Sequence, residues 1–129
     1  MGEIRYLIDT NVVIDYLGNG LPPAGMDFMH GVMNNIPAIS VITKIKLLGF
    51  NTNLAHYQVL ESFVQDAFVI DLSEGIVESC IKMRKEHKIK FPDAIIAATA
   101  IENKLDLHTR NVADFKNIRS LTVLNPHSL

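Results

Sequence analysis

The sequence has a single cysteine, Cys80, among 129 residues. One thiol excludes an intramolecular disulfide framework and a thiolate zinc cluster. Neither sign of charge is in excess: 12 basic side chains stand against 14 acidic ones, for a formal net charge of -2. Such a chain does not coat nucleic acid by bulk charge, so contact with a polyanion must run through a local patch or through metal ions. No apolar run approaches the roughly 18 residues needed to cross a bilayer, so no membrane partner is expected. The five histidines include no HExxH pair or close metal-ligand spacing. Linkers, internal repeats and low-complexity stretches are also missing. What is present is an ordinary globular balance, 48% hydrophobic and 20% charged, which excludes disorder. The length predicts a single domain over residues 1–129. An acid at Glu3 and the lack of an apolar leader segment predict a cytoplasmic location.

Short apolar runs alternate with helical patterns. Arg5–Ile8 reads as a buried strand ending at Asp9, and Asp9-Thr10-Asn11 offers capping side chains for a helix through Val12–Leu17. Gly18 to Gly25, with Pro22-Pro23, reads as a break. Met26, Met29 and Met33 recur at helical spacing up to Asn34. Pro37–Ser40 reads as a strand, with Ser40 capping a helix over 41–48. A longer helix is expected over Asn53–Asp66, with Leu54, Tyr57, Val59, Leu60, Phe63 and Val64 inward. Phe68–Leu72 reads as a strand, and Ser73 caps a helix whose buried stripe is Ile76, Val77, Cys80, Ile81 and Met83. Lys82–Lys90 is its charged, solvated end. Pro92 opens a helix over Asp93–Asn103 that is apolar on every side, the pattern of a central buried helix. Leu105–Thr109 reads as a strand, Val112–Phe115 as a helical turn, and Leu121–Leu124 as a last strand. Strands alternating with helices give an α/β fold, a parallel sheet covered on both faces.

In such sheets ligands sit outside the carboxyl ends of the strands. Asp9 follows the first strand, Asp93 opens the buried helix, and Asn111 and Asp114 follow the strand ending at Thr109. Acids gathered at one sheet edge repel each other, and a hard divalent cation such as Mg²⁺ or Mn²⁺ relieves the repulsion. Each residue also has a plainer reading. Asp9 serves as an N-cap, Asp93 as a first-turn acid favoured by the helix dipole, and Asn111 and Asp114 as caps. Thr10, Ser40, Thr43 and Thr109 are caps or hydroxyls supporting the acids. Lys44, Arg110 and Lys116 are candidate phosphate partners beside the acids, or simply solvated surface. Met26, Phe28, Met29 and Met33, with Tyr57 and Leu60 opposite, read as core or as a groove for a partner helix.

Four blocks in order carry a family resemblance: Tyr6–Leu17 (YLIDTNVVIDYL), Ile39–Gly49 (ISVITKIKLLG), Phe91–Ala100 (FPDAIIAATA) and Leu107–Phe115 (LHTRNVADF). Together the sequence resembles a PIN-domain protein, and within that family a VapC-type toxin ribonuclease of a type II toxin–antitoxin system. The resemblance implies a three-layer α/β/α fold on about five parallel strands and Mg²⁺- or Mn²⁺-dependent hydrolysis of RNA. It implies Asp9 and Asp93 as chief metal ligands, Asp114 as a further acid, and Asn111 at a position that is Asp or Asn in relatives. It also implies a homodimer and a small antitoxin partner that covers the pocket.

Where the family's second block carries Glu, this chain has Lys46. The exchange shifts local charge by two units and replaces an oxygen ligand with a cation, which predicts weak metal affinity and impaired nuclease activity. Its plainer reading is a solvated helix residue beside Lys44, on one face with Ile42 and with Gly49 or Phe50. A second functional class is therefore a catalytically inactive PIN-like module that keeps antitoxin or RNA binding. A receiver-type phospho-acceptor domain would need paired acids after the first strand, but Asp9 is followed by Thr10. A dehalogenase-type phosphatase would need an acid where Asn11 stands.

Overall fold

Each strand is only two or three residues long, so two successive side chains are enough to define both faces of the sheet. Leu7 and Ala38 point to one side and Ile8 and Ile39 to the other, and all four are fully buried. In this computed structural model residues 4–129 are described; Glu3, and with it the leader reading, lies outside the described residues. The strands are β1 (Tyr6–Ile8), β2 (Ala38–Ser40), β3 (Phe68–Ile70), β4 (Asp106–His108) and β5 (Val123–Leu124). They form one parallel sheet in the order β3-β2-β1-β4-β5. The helices are α1 (Thr10–Leu17), α2 (Pro23–Asn34), α3 (Val41–Leu48), α4 (Leu54–Asp66), α5 (Glu74–Glu86) and α6 (Phe91–Glu102), with a 3₁₀ turn at Val112–Phe115.

Two cores sandwich the sheet. On one face Leu7, Ala38 and Leu107 pack against Ile76, Cys80 and Met83 of α5 and the whole of Ala94–Ala98 from α6. On the other, Ile8 and Ile39 pack against Val12 and Val13 of α1, Met29 and Val32 of α2, Leu47 of α3, and Leu60 and Val64 of α4. The three-layer α/β/α arrangement expected from the sequence is therefore present. Helix α6 is buried at every position from Ala94 to Ala100, and its alanines let α5 approach closely. Burial in that interface pushes the Cys80 thiol above its ordinary value, which makes it a packing residue and not a nucleophile.

The elements differ from expectation at their edges. Helix α2 begins at Pro23, inside the segment read as a break, because proline is suited to the first helical turn. Helix α6 starts at Phe91 for the same reason, with Pro92 in its first turn. The strands over 68–72, 105–109 and 121–124 are shorter than expected. Leu54 and Val59 of α4, and Val77 and Ile81 of α5, were expected inward but are exposed. Only one flank of each apolar stripe reaches the sheet. Met29 and Leu60 are core residues, which resolves most of the α2 groove into packing. The chain's last residues lie against α2: a side chain at Gly25 would overlap the carbonyl oxygen of Pro126.

β1 lies at the centre, with β2 on one side and β4 on the other. The connections reverse direction there, and such a switch point opens a crevice at the strand's carboxyl end. Beneath the crevice, in β4, His108 is fully buried, with its ring 4.5 Å from that of Tyr6 and 5.3 Å from that of Phe28. Among the described residues neither ring nitrogen has a hydrogen-bond partner, and burial lowers its pKa from 6.5 to about 4. The imidazole is neutral in the fold, so the unfolded chain takes the proton first as pH falls. The stability this group contributes is complete above 6.5 and is lost on descending to about 4, a loss of up to roughly 3 kcal/mol. His108→Phe is expected to remove that acid-sensitive component, measured as the pH dependence of urea unfolding between pH 7 and 4.

Candidate active site at the carboxyl end of β1

Asp9 leaves β1 and caps α1. Its carboxylate is 5% exposed, and a charge so placed must be hydrogen-bonded to be tolerated. Oδ1 accepts from the Thr10 backbone N–H at 2.8 Å. Oδ2 accepts from the Thr109 hydroxyl at 2.8 Å and lies 3.4 Å from the Asn11 amide nitrogen. Thr109 follows β4, so this bond ties the ends of the two strands together. The Thr109 hydroxyl also accepts from the Asn111 N–H at 3.1 Å, and Asn11 Oδ1 accepts from the Arg110 N–H at 3.0 Å. The loop after β4 is thus pinned to the start of α1. The Thr10 hydroxyl reaches Thr43 of α3 at 3.2 Å.

Asp93 enters from the first turn of α6. Its carboxyl is pushed above the usual 3.8 first by burial, then by the charge of Asp114 and that of Asp9. Lys46 and Lys90 act in the opposite direction. Asp93 therefore sits between two other acids from distant segments, Asp9 on one side and Asp114 on the other. Asp9, Thr10, Asn11, Lys46, Asp93, Arg110 and Asn111 line one cleft, and Asp93, Asp114 and Lys116 line an adjoining one.

Most residues proposed from sequence meet here, some in altered roles. Ser40 caps α3 through the Ile42 and Thr43 N–H groups and lines neither cleft. Lys44 is exposed and lines neither cleft. It lies two residues before Lys46, about 200° round the helix, so α3 cannot present both lysines to one pocket. Sequence reasoning missed Asp15, whose Oδ2 is 3.1 Å from the Arg110 guanidinium and 3.0 Å from His127 Nε2. Its signal was available: Asp15 follows Asn11 by four residues and shares its helix face.

The residue types suit a hard cation, which takes carboxylate oxygens and keeps several waters. Both oxygens of Asp9 are already engaged, however, and among the described residues no three His, Cys, Asp or Glu side chains gather tightly enough to hold a metal ion. The donors fit a loosely held, largely hydrated ion, not a preformed cage.

The PIN domain family model matches residues 6–121. The chain belongs to the PIN-domain family. PIN domains are generally nucleases. Among solved structures, a chain of a toxin-antitoxin complex from Klebsiella pneumoniae is 31% identical to this PIN domain with a TM-score of 0.77, covering 94% of this chain and 97% of that one. A chain of VapBC2 from Rickettsia felis, bound to a DNA fragment from its promoter, is 23% identical with a TM-score of 0.78, covering 95% and 98%. A chain of DNA-bound VapBC from Salmonella typhimurium is 22% identical with a TM-score of 0.79, covering 96% and 99%. These last two establish likeness of fold. Among curated proteins none matches the chain. No helix among the described residues is long and apolar enough to cross a membrane.

Because the Asp93 pKa is raised, the folded state holds its proton more tightly than the unfolded chain. The stability from this group is full below the unfolded value of 3.8 and is lost as pH rises through the higher folded value. Asp93→Asn is expected to flatten this fall by less than about 1 kcal/mol, since the carboxyl is partly solvated. Unfolding free energies from pH 3.5 to 7, compared with the parent chain, check the slope.

Proposed function

We propose that this PIN domain is a VapC-type toxin, a Mg²⁺- or Mn²⁺-dependent endoribonuclease whose activity is impaired by Lys46. The observation that carries the reading is the cleft that Asp9 and Asp93 share, with Asp114 in the adjoining cleft that Asp93 also lines; burial and the charges of both neighbours raise the Asp93 carboxyl. Asp9 and Asp93 would hold the ion, with Asp114 as a further acid. A divalent cation bound there supplies positive charge that polarises a phosphodiester and acidifies a water molecule. The chain's own residues do the rest. Thr109 and Thr10 fix the direction of the Asp9 carboxylate. Arg110, braced by Asp15, offers a guanidinium to a phosphate at the rim. Lys46 shares the cleft with Asp9 and Asp93, where its ammonium lowers the Asp93 carboxyl and competes with a cation for the same charge.

An antitoxin protein belongs to the same reading, supported by the toxin-antitoxin complex to which the chain is 31% identical. A homodimer and a cytoplasmic location complete it. The specific observation favouring the second reading, an inactive PIN module that still binds antitoxin or RNA, is Lys46 itself, because it is a cation inside an acidic cleft.

Lys46→Glu is expected to raise Mg²⁺-dependent cleavage of single-stranded RNA at least about tenfold, equivalent to ~1.4 kcal/mol of barrier, and to tighten Mn²⁺ binding by calorimetric titration. If both forms are inert and neither binds the ion, the metal-nuclease reading is wrong.

A further inference from the structure

Asp93 lines two clefts at once. One is the acidic cleft already described. The other, of about 550 Å³, runs between the α5–α6 connection and the turn after Phe115, and its walls carry His87, Lys88, Lys90 and Lys116. The three lysines are exposed, and among the described residues none of them pairs with a carboxylate. In sequence, 82–90 looked like a solvated helix end. The fold instead folds its last three residues back beside Asp93, because α5 stops at Glu86 and α6 restarts at Phe91. Lys90 is close enough to pull on the Asp93 carboxyl electrostatically. Against Asp93 and Asp114 on the same walls, the three ammonium groups leave a small local excess of positive charge in a chain of net charge -2, of the kind that tracks a phosphate backbone.

We propose that this cleft is the path by which single-stranded RNA leaves the acidic pocket, with Lys88, Lys90 and Lys116 contacting phosphates flanking the one held near Asp93. The proposal rests on the ribonuclease reading and adds to it a binding surface and a polarity: the strand is gripped on the α5–α6 side of Asp93. An extended strand explains why cations and acids adjoin here. The lysines neutralise flanking phosphates, and the carboxylates leave room for a cation at the central one.

The test measures binding of a short fluorescent single-stranded RNA by the full chain in EDTA, across a range of salt concentrations. For single strands log K falls with log salt by about 0.7 per phosphate contact. Changing Lys88, Lys90 and Lys116 together to glutamine is therefore expected to flatten the slope by about 2. Changing Lys82, Lys85 and Arg119 removes the same charge from outside the cleft and is expected to leave the slope near the parent value. Circular dichroism of both triple variants checks that they fold. An unchanged slope in the cleft variant, or equal flattening in both, overturns the path while leaving the ribonuclease reading intact. Equal binding of polyglutamate with the same lysine dependence assigns the cleft to an acidic peptide and also overturns it. Failure of the parent chain to bind RNA at all overturns the path, while Mg²⁺-dependent cleavage tests the ribonuclease reading separately.

Discussion

A carboxylate held almost out of reach of water must be given donors, and the donors given to Asp9 come from both sides of the sheet's centre. Thr10 belongs to the helix that Asp9 itself caps, while Thr109 belongs to the segment after the neighbouring strand. The hydrogen bond to Thr109 therefore does more than satisfy a charge. It fixes the carboxyl end of β1 against that of β4, at the point where the connections of the sheet diverge. The loop that follows inherits its course from the same cluster, since Thr109 and Asn11 accept from the Asn111 and Arg110 N–H groups. If that carboxylate were to swing free, both the start of α1 and the post-β4 loop would lose their anchor.

The second acid is placed by different means. Asp93 sits in the first turn of a helix too apolar to expose, so α6 must be buried and its start must meet the sheet edge. Packing thus brings Asp93 beside Asp114 and Asp9 although their charges oppose it. The electrostatic cost is carried by the hydrophobic core, in which Ala94 to Ala98 and Ala100 are buried. Lys46 and Lys90 temper the repulsion from two directions. The pocket is therefore of mixed sign, which distinguishes it from a purely acidic ion site.

The features that sequence made legible are those with a strong local cause. The mostly apolar stretch from Ala94 to Ile101 behind Pro92 marks a central helix, and an acid directly after a buried strand falls at the sheet's edge. Strands of two or three residues offer too short a pattern to fix their ends, so β3, β4 and β5 were read too long. Helical spacing found the right stripes on α4 and α5 but could not say which flank would meet the sheet, hence the exposed Leu54, Val59, Val77 and Ile81. Pro23 was ambiguous because the same ring ends one helix and begins another. Lys88 and Lys90 are exposed, as the run of charges suggested, but nothing in that run announces that the chain will turn back beside Asp93. Asp15 was overlooked although its spacing from Asn11 placed it correctly, since its partners Arg110 and His127 lie far away in the chain.

That distance has a temporal side. Asp9 and the Thr109 that secures it are 100 residues apart, and contacts of such long range close late in folding. During synthesis at about 5–20 residues per second, a nascent chain displays Asp9 for several seconds before Asp93 or Thr109 exists. Partial copies on the ribosome consequently carry no assembled pocket, and whatever chemistry it performs begins only after Thr109 has been made.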